Sequence, residues 1–544
     1  MAWLFDSVLP SEGLVYPNIL ALAVAIITIA VSTTAIYRLY LHPLAKFPGP
    51  FWARLTTIPS YWHTHKGDRH VWLWRLQQQY GTTFRYRPDA VLINTPTGYR
   101  TIFGPKGNVR KSDYYRIWPS DSSVSNAWNA TEISIHGPKR RVLNHAFSEK
   151  ALRSAEPFIQ SNTDRWCELI SNRIPKSNEW SPSLNMTKEI NHLIFDILGD
   201  LCFGKSFEMK EPASKLRYVP ELLADFLVLM HPIGFSPIAD FWVWLKPRGL
   251  DALLAYTAPA ALAGWENFVA KCLQDRTKVE EEVREGKLEA RQDFFYYLFD
   301  AKDPETGKGY TRQELYNECE LLIIAGSDTT SIVTSAMMFY MSRNLEIQAK
   351  LAKEVCGAFK SAGEIQSGLK MQSCRYLRAF IQEALRMCPP VPADLARQVR
   401  AGGTTVEGHY FPEGTKLSTA LYCLSYNEDV FPEPFSFKPE RWILGESGGC
   451  ATEESLALAE SGFCSFSTGS RGCIGRNLAW MEMMIVMAKV VWNFEIRQDE
   501  GNPLGAGDEK GPEGRRCVDQ YQVKDAFVAM RDGPMIQFRR RTHE

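Results

Sequence analysis

Of the chain's twelve cysteines, Cys473 has the setting best suited to chemistry. It lies in Phe466-Ser467-Thr468-Gly469-Ser470-Arg471-Gly472-Cys473-Ile474-Gly475-Arg476, ahead of an apolar run, Asn477 to Trp492, that is predicted to be helical. Backbone N–H groups and the positive dipole end at a helix start favour thiolate over thiol, so Cys473 is a candidate soft metal ligand. Gly469, Gly472 and Gly475 let the backbone wrap tightly round the sulfur, and N–H groups aimed at a thiolate temper its charge and tune a bound iron. A lone cysteine is usually packing; the whole string is harder to reach by chance.

A second set is Ala325-Gly326-Ser327-Asp328-Thr329-Thr330. It falls in a pattern opening on Thr311-Arg312-Gln313-Glu314, a capping-box sequence, and a helix from there to Arg343 would run about 48 Å. Gly326 is expected where a side chain would crowd a flat cofactor. Asp328 and Thr329 place an acid and an alcohol beside the apolar stretch Leu321 to Ala325, and hydroxyl back-bonding to the helix is the reading given to Thr330. Third, Glu383 and Arg386 stand at i, i+3 on one helix face, a spacing common on exposed helices, with Pro439-Glu440-Arg441-Trp442 downstream. Fourth, His136-Gly137-Pro138-Lys139-Arg140-Arg141 puts His136 and Arg140 at i, i+4, and Pro138 is expected within the first turn of its helix.

The string from Phe466 to Gly475 resembles F-x-x-G-x-R-x-C-x-G, the haem-binding signature of the cytochrome P450 superfamily, at every fixed position. The resemblance implies haem b (heme b), with Cys473 as the axial thiolate ligand of its iron, Phe466 beside it and Arg471 on a propionate. The stretch Ala325 to Thr330 resembles the family's [AG]-G-x-[DE]-T-[TS], which implies that Asp328 and Thr329 relay protons to bound dioxygen. Arg441 lies in a segment like the family's P-E-R-F, with Trp442 replacing Phe, and would complete a Glu-Arg-Arg cluster with Glu383 and Arg386. His136 and Arg140 resemble the family's W/H-x-x-x-R near the propionates, and Arg397, seven residues after Pro390, matches another propionate arginine. Asp196 to Gly204 and Ala146-Phe147-Ser148 look most like fungal microsomal members of secondary metabolism.

By that resemblance the chain is a monooxygenase inserting one oxygen atom of O2 into an apolar small molecule such as a terpenoid, polyketide or alkaloid. A haem-thiolate isomerase or dehydratase using no O2 and a non-enzymatic haem sensor are the alternatives. There is no G-x-G-x-x-G after a strand and no Walker-type loop, so electrons must come from another protein. The family's donor is the membrane-bound NADPH-cytochrome P450 reductase, with cytochrome b5 as a second candidate; Lys139, Arg141 and Arg476 are candidates to meet its acidic face. Family analogy draws the substrate pocket from Lys111 to Ala130, Pro220 to Trp244, Glu318 to Thr330, Pro392 to Val399 and Lys524 to Met530. Their aromatic residues include Trp118, Trp128, Phe226, Phe235 and Phe527.

These residues need a scaffold, and the sequence supplies a mainly α one with a minor β part. Strand-like stretches come early, at Thr83 to Tyr86 and Ala90 to Asn94. Helical periodicity then dominates, around Leu152 to Ile170, Lys188 to Leu201, Ala260 to Glu285 and Met338 to Phe359. Residues 445–462 and 499–514 read as surface loops. The resemblance implies the cytochrome P450 fold, a single catalytic domain at 51–544. Ahead of it, 18–37 reads as a transmembrane anchor, 1–17 as a lumenal N-terminus and 38–50 as a basic, proline-rich hinge. Asp6 and Glu12 flank the apolar run on one side, Arg38, His42 and Lys46 on the other. That bias gives a single-pass protein of the endoplasmic reticulum membrane with its body in the cytosol, in contact with membrane lipid. The competing reading, a cleaved signal peptide, fits less well: the apolar run is long and no basic region precedes it. Balanced charge, 62 Lys+Arg against 62 Asp+Glu, argues against a nucleic-acid partner.

Overall fold

Apolar residues three and four apart fold as the periodicity predicts. The computed structural model, which describes residues 12–118 and 124–543, has helices at Glu149–Ser171, Met186–Phe203 and Ala260–Arg284. The expected lumenal stretch with Asp6 lies outside the described residues at positions 1–11. Met338 to Phe359, expected as one helix, is two. Arg312–Arg343 ends at Asn344, which leaves helical geometry at φ −129 and ψ 95, and its side-chain oxygen accepts from the Ile347 N–H at 3.1 Å to start Leu345–Ala358. Asparagine breaks the run because its side chain offers the backbone a better partner as a cap than within a helix.

The helix Arg312–Arg343 runs through the body with most of its length buried. Its start is the capping box read from the sequence, Thr311 and Glu314 each satisfying the other's backbone N–H. Pro138 departs from expectation. The helix is Ile133–Leu143, so the proline sits in its interior. The carbonyl it leaves without a helical donor belongs to Ser134, an exposed residue, where water can satisfy it.

The β part is small. Five strands pair in the order Thr83–Arg87, Ala90–Ile93, Lys416–Ser418, Arg397–Val399 and Val109–Lys111, the second and third parallel and the others antiparallel. This sheet brings Arg397 beside Lys111, its register partner. A separate hairpin, Lys524–Ala526 with Val528–Met530, turns on the single residue Phe527.

A buried carboxylate pins the helical core. Glu383, on Arg375–Met387, accepts from Arg386 Nε at 2.9 Å and Nη2 at 2.8 Å, from Arg441 Nε at 2.9 Å and from the Lys438 N–H at 3.0 Å. The expected Glu-Arg-Arg cluster is therefore present and buried, not an exposed helix pair. Sequence reading missed a fifth donor, the indole Nε1 of Trp442 at 2.9 Å from Glu383 Oε2. Burial opposes ionisation of Glu383, but Arg386, Arg441 and the Lys438 N–H outweigh it and hold its carboxyl below the usual range.

At the other end, Glu12–Ile36 continues as a wider π-helical turn, Tyr37–Leu41, and the helical path breaks at His42 rather than at Tyr37. The apolar span Ile19–Leu41 has none of its length buried in the body, which fits a membrane anchor. Three guanidinium–carbonyl bonds set its angle: Arg38 to Leu55 O at 2.6 Å, Arg54 to Leu39 O at 2.9 Å and Arg85 to Arg38 O at 2.7 Å.

Candidate active site

The loop before the helix Arg476–Asn493 closes on itself through backbone bonds. The Cys473 N–H donates to Phe466 O at 2.8 Å, and the Gly472 N–H to Gly469 O at 3.0 Å. Gly469 is required here: its φ is +71, and a Cβ would fall 2.1 Å from the Phe103 carbonyl oxygen. The Phe466 ring packs between Phe463 and Trp480, so its nearest tie to the cysteine is the carbonyl, not the ring.

Cys473 is wrapped by protein on nearly all sides, yet its side chain keeps accessible surface. Ala325 does the same in the middle of the otherwise buried central helix. Surface of that kind, on residues set among packed elements, is what an interior chamber would leave. The thiol itself is not predisposed to ionise, contrary to the expectation from its place before a helix. Burial raises its pKa and outweighs the Gly475 N–H, Arg140 and Arg476, which pull it down. A bound metal cation would supply the stabilisation that the desolvated sulfur lacks.

The basic residues expected at an anionic group do converge. Arg140 Nη1 donates to Gly472 O at 2.8 Å, tying Ile133–Leu143 to the cysteine loop, while Arg471 donates to Ala130 O at 2.7 Å and Thr131 O at 3.2 Å. Arg397 donates to Leu395 O at 2.9 Å and stacks over the Phe103 ring. His136 is buried next to them. Burial and then the charges of Arg471, Lys111, Arg140 and Arg397 push it down to about 3. Lys111, which the sequence placed only at the edge of a pocket segment, joins this group. It lies 4.1 Å from the Tyr115 ring centroid, and burial with Arg397 and Arg471 drives its pKa well down. Burial, Arg397 and Arg140 lower Arg471 to about 10. Five nitrogen bases thus share a buried region held mainly by carbonyls. Three of them are arginines, and guanidinium groups gathered in this way are stabilised by an anion, which fits a ligand carrying carboxylates, as the two propionates of haem would.

On the central helix, three expectations need correction. A Cβ on Gly326 would point at Leu198 of Met186–Phe203, 3.0 Å from its Cδ1, so this glycine permits close helix packing instead of clearing room for a cofactor. Thr329 is the residue whose hydroxyl back-bonds, to Ala325 O at 2.8 Å, leaving its lone pairs as acceptors. Thr330 instead donates to Glu482 Oε2 at 3.3 Å, because it faces Arg476–Asn493. Asp328 is buried, one carboxyl oxygen lacks a partner, and burial pushes its pKa up to about 6 against the pull of Arg531.

Arg531 was not anticipated from the sequence, because more than 200 residues separate it from Asp328. Its Nη2 donates to Asn191 at 2.6 Å and its Nε is buried without a partner. Its positive charge favours the ionised form of Asp328, so Arg531→Gln is expected to keep Asp328 protonated to higher pH. Product formed per NADPH should fall as pH rises through about 6 in the wild type, and the fall should move upward in Arg531→Gln. The same limb in both proteins would exclude the coupling.

The aromatic residues expected around a substrate gather at the Phe527 hairpin tip. Phe527 has φ +73, a strained value for a bulky residue. Its ring lies 5.1 Å from Trp128, 6.0 Å from Trp118 and 5.9 Å from Tyr114, and Tyr114 is 5.1 Å from Phe235. Phe226 is half-buried on its helix and in none of these ring pairs. Asp525 accepts from the Phe527 N–H at 3.1 Å and meets His231 Nε2 at 3.4 Å, while His231 Nδ1 bonds the Tyr114 hydroxyl at 2.6 Å. The expected docking cations are mostly committed inside the molecule. Lys139 pairs with Glu314 at 2.6 Å and Arg141 with Glu305 at 2.9 Å and with Asp303, whereas Arg476 is exposed.

Comparison with known proteins agrees with this geometry. The family model described as cytochrome P450 matches residues 47–510. The cytochrome P450 monooxygenase poxM of Penicillium oxalicum is 33% identical over 509 residues, covering 93% of this chain and 92% of its own. The cytochrome P450 monooxygenase apf7 of Gibberella fujikuroi is 33% identical over 522 residues, 93% and 95% of the two chains. The cytochrome P450 monooxygenase atnE of Emericella nidulans is 32% identical over 535 residues, 96% and 97%. A crystal structure of a cytochrome P450, CYP102L1, superposes with a TM-score of 0.65 at 19% identity, covering 87% of this chain and 94% of that one, a likeness of fold.

Proposed function

The chain belongs to the cytochrome P450 family and is a haem-thiolate monooxygenase; on that premise we propose which residues do the work. Cys473 would hold the iron of haem b, and Arg140, Arg397, Arg471 and Lys111, with His136 alongside, would hold its propionates. The observation that carries this reading is the cluster of Arg140, Arg397 and Arg471 with Lys111 and His136, the arginines bonded to carbonyls among the described residues and Arg140 tied to the cysteine loop. When bound, the haem supplies dioxygen activation and the oxidising equivalent.

The chain's own residues then orient, exclude water and hold protons. Thr329 Oγ1, its hydrogen committed to Ala325 O, accepts a hydrogen bond at the chamber wall. Asp328, its pKa raised by burial to about 6, takes up and gives a proton beside it. The ring cluster at Phe527 shields the chamber and selects an apolar small molecule of the terpenoid, polyketide or alkaloid kind. The body, residues 51–544, lies on the cytosolic side of the endoplasmic reticulum membrane behind the anchor, and NADPH-cytochrome P450 reductase, with or without cytochrome b5, supplies electrons to it.

The test is reconstitution with that reductase: NADPH and O2 consumed together with an apolar substrate, one oxygen atom appearing in the product. Substrate conversion without NADPH would favour the isomerase reading. Thr329→Ala is expected to keep haem content while losing about tenfold or more of product per NADPH, the remainder leaving as hydrogen peroxide. Unchanged coupling would remove Thr329 from the relay.

A further inference from the structure

At the foot of the anchor helix the chain gathers more positive charge than it neutralises. Arg38, Arg54, Arg85, Arg87 and Lys416 meet there. The carboxylate among them is Asp89, 2.8 Å from Lys416 and 3.6 Å from Arg87. Arg85 is wholly buried, and its guanidinium bonds go to carbonyls: Pro88 O at 3.2 and 2.6 Å and Arg38 O at 2.7 Å. Burial, with Arg54 and Arg38 close by, pushes it down to about 10. The Nε of Arg54 is buried without a hydrogen-bond partner, and that of Arg87 has Asp89 at 3.6 Å, too far for a hydrogen bond. Positive charge confined this way is stabilised by an anion placed against it.

A cavity of about 330 Å³ opens beside this cluster, with Arg38, Arg87, Asp89 and Lys416 along one side and Asp113 and Asp240 on its walls. Asp113 is already paired with Arg110 at 3.1 Å. Arg38 belongs to the last turns of the apolar span Ile19–Leu41, which sets the cavity at headgroup depth. Apolar side chains surround the same level: Tyr40, Leu41, Phe51 and Trp52 are 74%, 69%, 55% and 67% exposed. Rings and aliphatic chains beside arginines match the boundary between acyl chains and phosphates.

We propose that this cavity binds the phosphate headgroup of one anionic phospholipid, held by Arg87, Lys416 and Arg38. The assignment rests on the reading of 18–41 as a membrane anchor. Guanidinium groups suit a phosphate because their planar fork offers parallel N–H donors, and basic residues flanking a membrane helix attract anionic lipid. The bound lipid would neutralise the cluster and fix the angle between anchor and body.

The test uses the full-length haem-loaded protein in nanodiscs of phosphatidylcholine with a minority of phosphatidylserine. Lipids that remain bound after release are counted by native mass spectrometry, and the haem absorption spectrum checks that each variant is folded. The wild type should retain one phosphatidylserine in preference to phosphatidylcholine. Arg87→Gln/Lys416→Gln should lose that preference about tenfold, and Lys150→Gln/Arg153→Gln, a charge-matched change on a distant exposed face, should keep it. Equal retention in all three proteins, or equal loss in both variants, overturns the site. Inorganic phosphate displacing the lipid at millimolar concentration would show a site for free phosphate and overturn the lipid assignment. A wild type that does not enter nanodiscs defeats the anchor reading itself, and the headgroup site with it.

Discussion

Cys473→Ser is expected to give a folded protein that has lost both the thiolate-type spectrum of its reduced carbon-monoxide complex and its NADPH-dependent turnover. Folding should survive because the loop is closed without the sulfur, by the Cys473 N–H on Phe466 O, the Gly472 N–H on Gly469 O and Arg140 on Gly472 O. Chemistry should not survive. A serine hydroxyl is far harder to ionise than a thiol and far poorer as a ligand for iron, so the electron donation a thiolate would supply to the iron is lost. Turnover should drop by about a thousandfold or more, the scale seen when an indispensable catalytic group is removed. The measurement is the reduced carbon-monoxide difference spectrum alongside single-turnover product yield. A serine variant matching the wild type in both would remove Cys473 as the ligand and the mechanism with it.

Glu383→Ala should have the largest effect on stability. The carboxylate accepts from buried Arg386, Arg441 and Trp442 and from the Lys438 N–H, and its loss leaves two guanidinium charges inside the protein without that counter-ion. Breaking a buried pair from one side costs about 3–5 kcal/mol, a large fraction of an ordinary domain's stability. Haem incorporation should fall with it, because Arg375–Met387 and the segment Pro439–Trp442 support the same core. Trp442→Phe, which restores the aromatic residue of the resembled pattern, removes one donor of several and should cost only about 1 kcal/mol. Urea unfolding followed by haem absorbance ranks the three proteins; a Glu383→Ala midpoint equal to that of the wild type would deny the cluster its role.

The ring cluster and the basic residues show why parts of the site escaped the sequence. Trp118, Trp128 and Phe527 were visible as aromatic residues, but their meeting depends on a hairpin tip held by Asp525, His231 and Tyr114, residues spread over more than 400 positions. Lys111 looked like the end of a loop until pairing of Val109–Lys111 with Arg397–Val399 put it against Arg397. Lys139 and Arg141 looked free to meet a partner, and the fold supplied acids for both.

What the amino-acid order determined by itself is local. The glycine-rich turn around Cys473, the capping box at Thr311, the apolar span of the anchor and the spacing of Glu383 and Arg386 all follow from residues within one or two helical turns of each other. Such features rest on backbone propensity and side-chain periodicity, which a linear string carries in full. Tertiary structure decided which way neighbours on one helix point and what they meet there. It turned Gly326 toward Leu198, gave Thr330 to Glu482 and Thr329 to Ala325 O, and set Arg531 near Asp328. It also made the Cys473 thiol harder to ionise than its place before a helix implied, because desolvation depends on everything packed around a group and not on the few residues beside it.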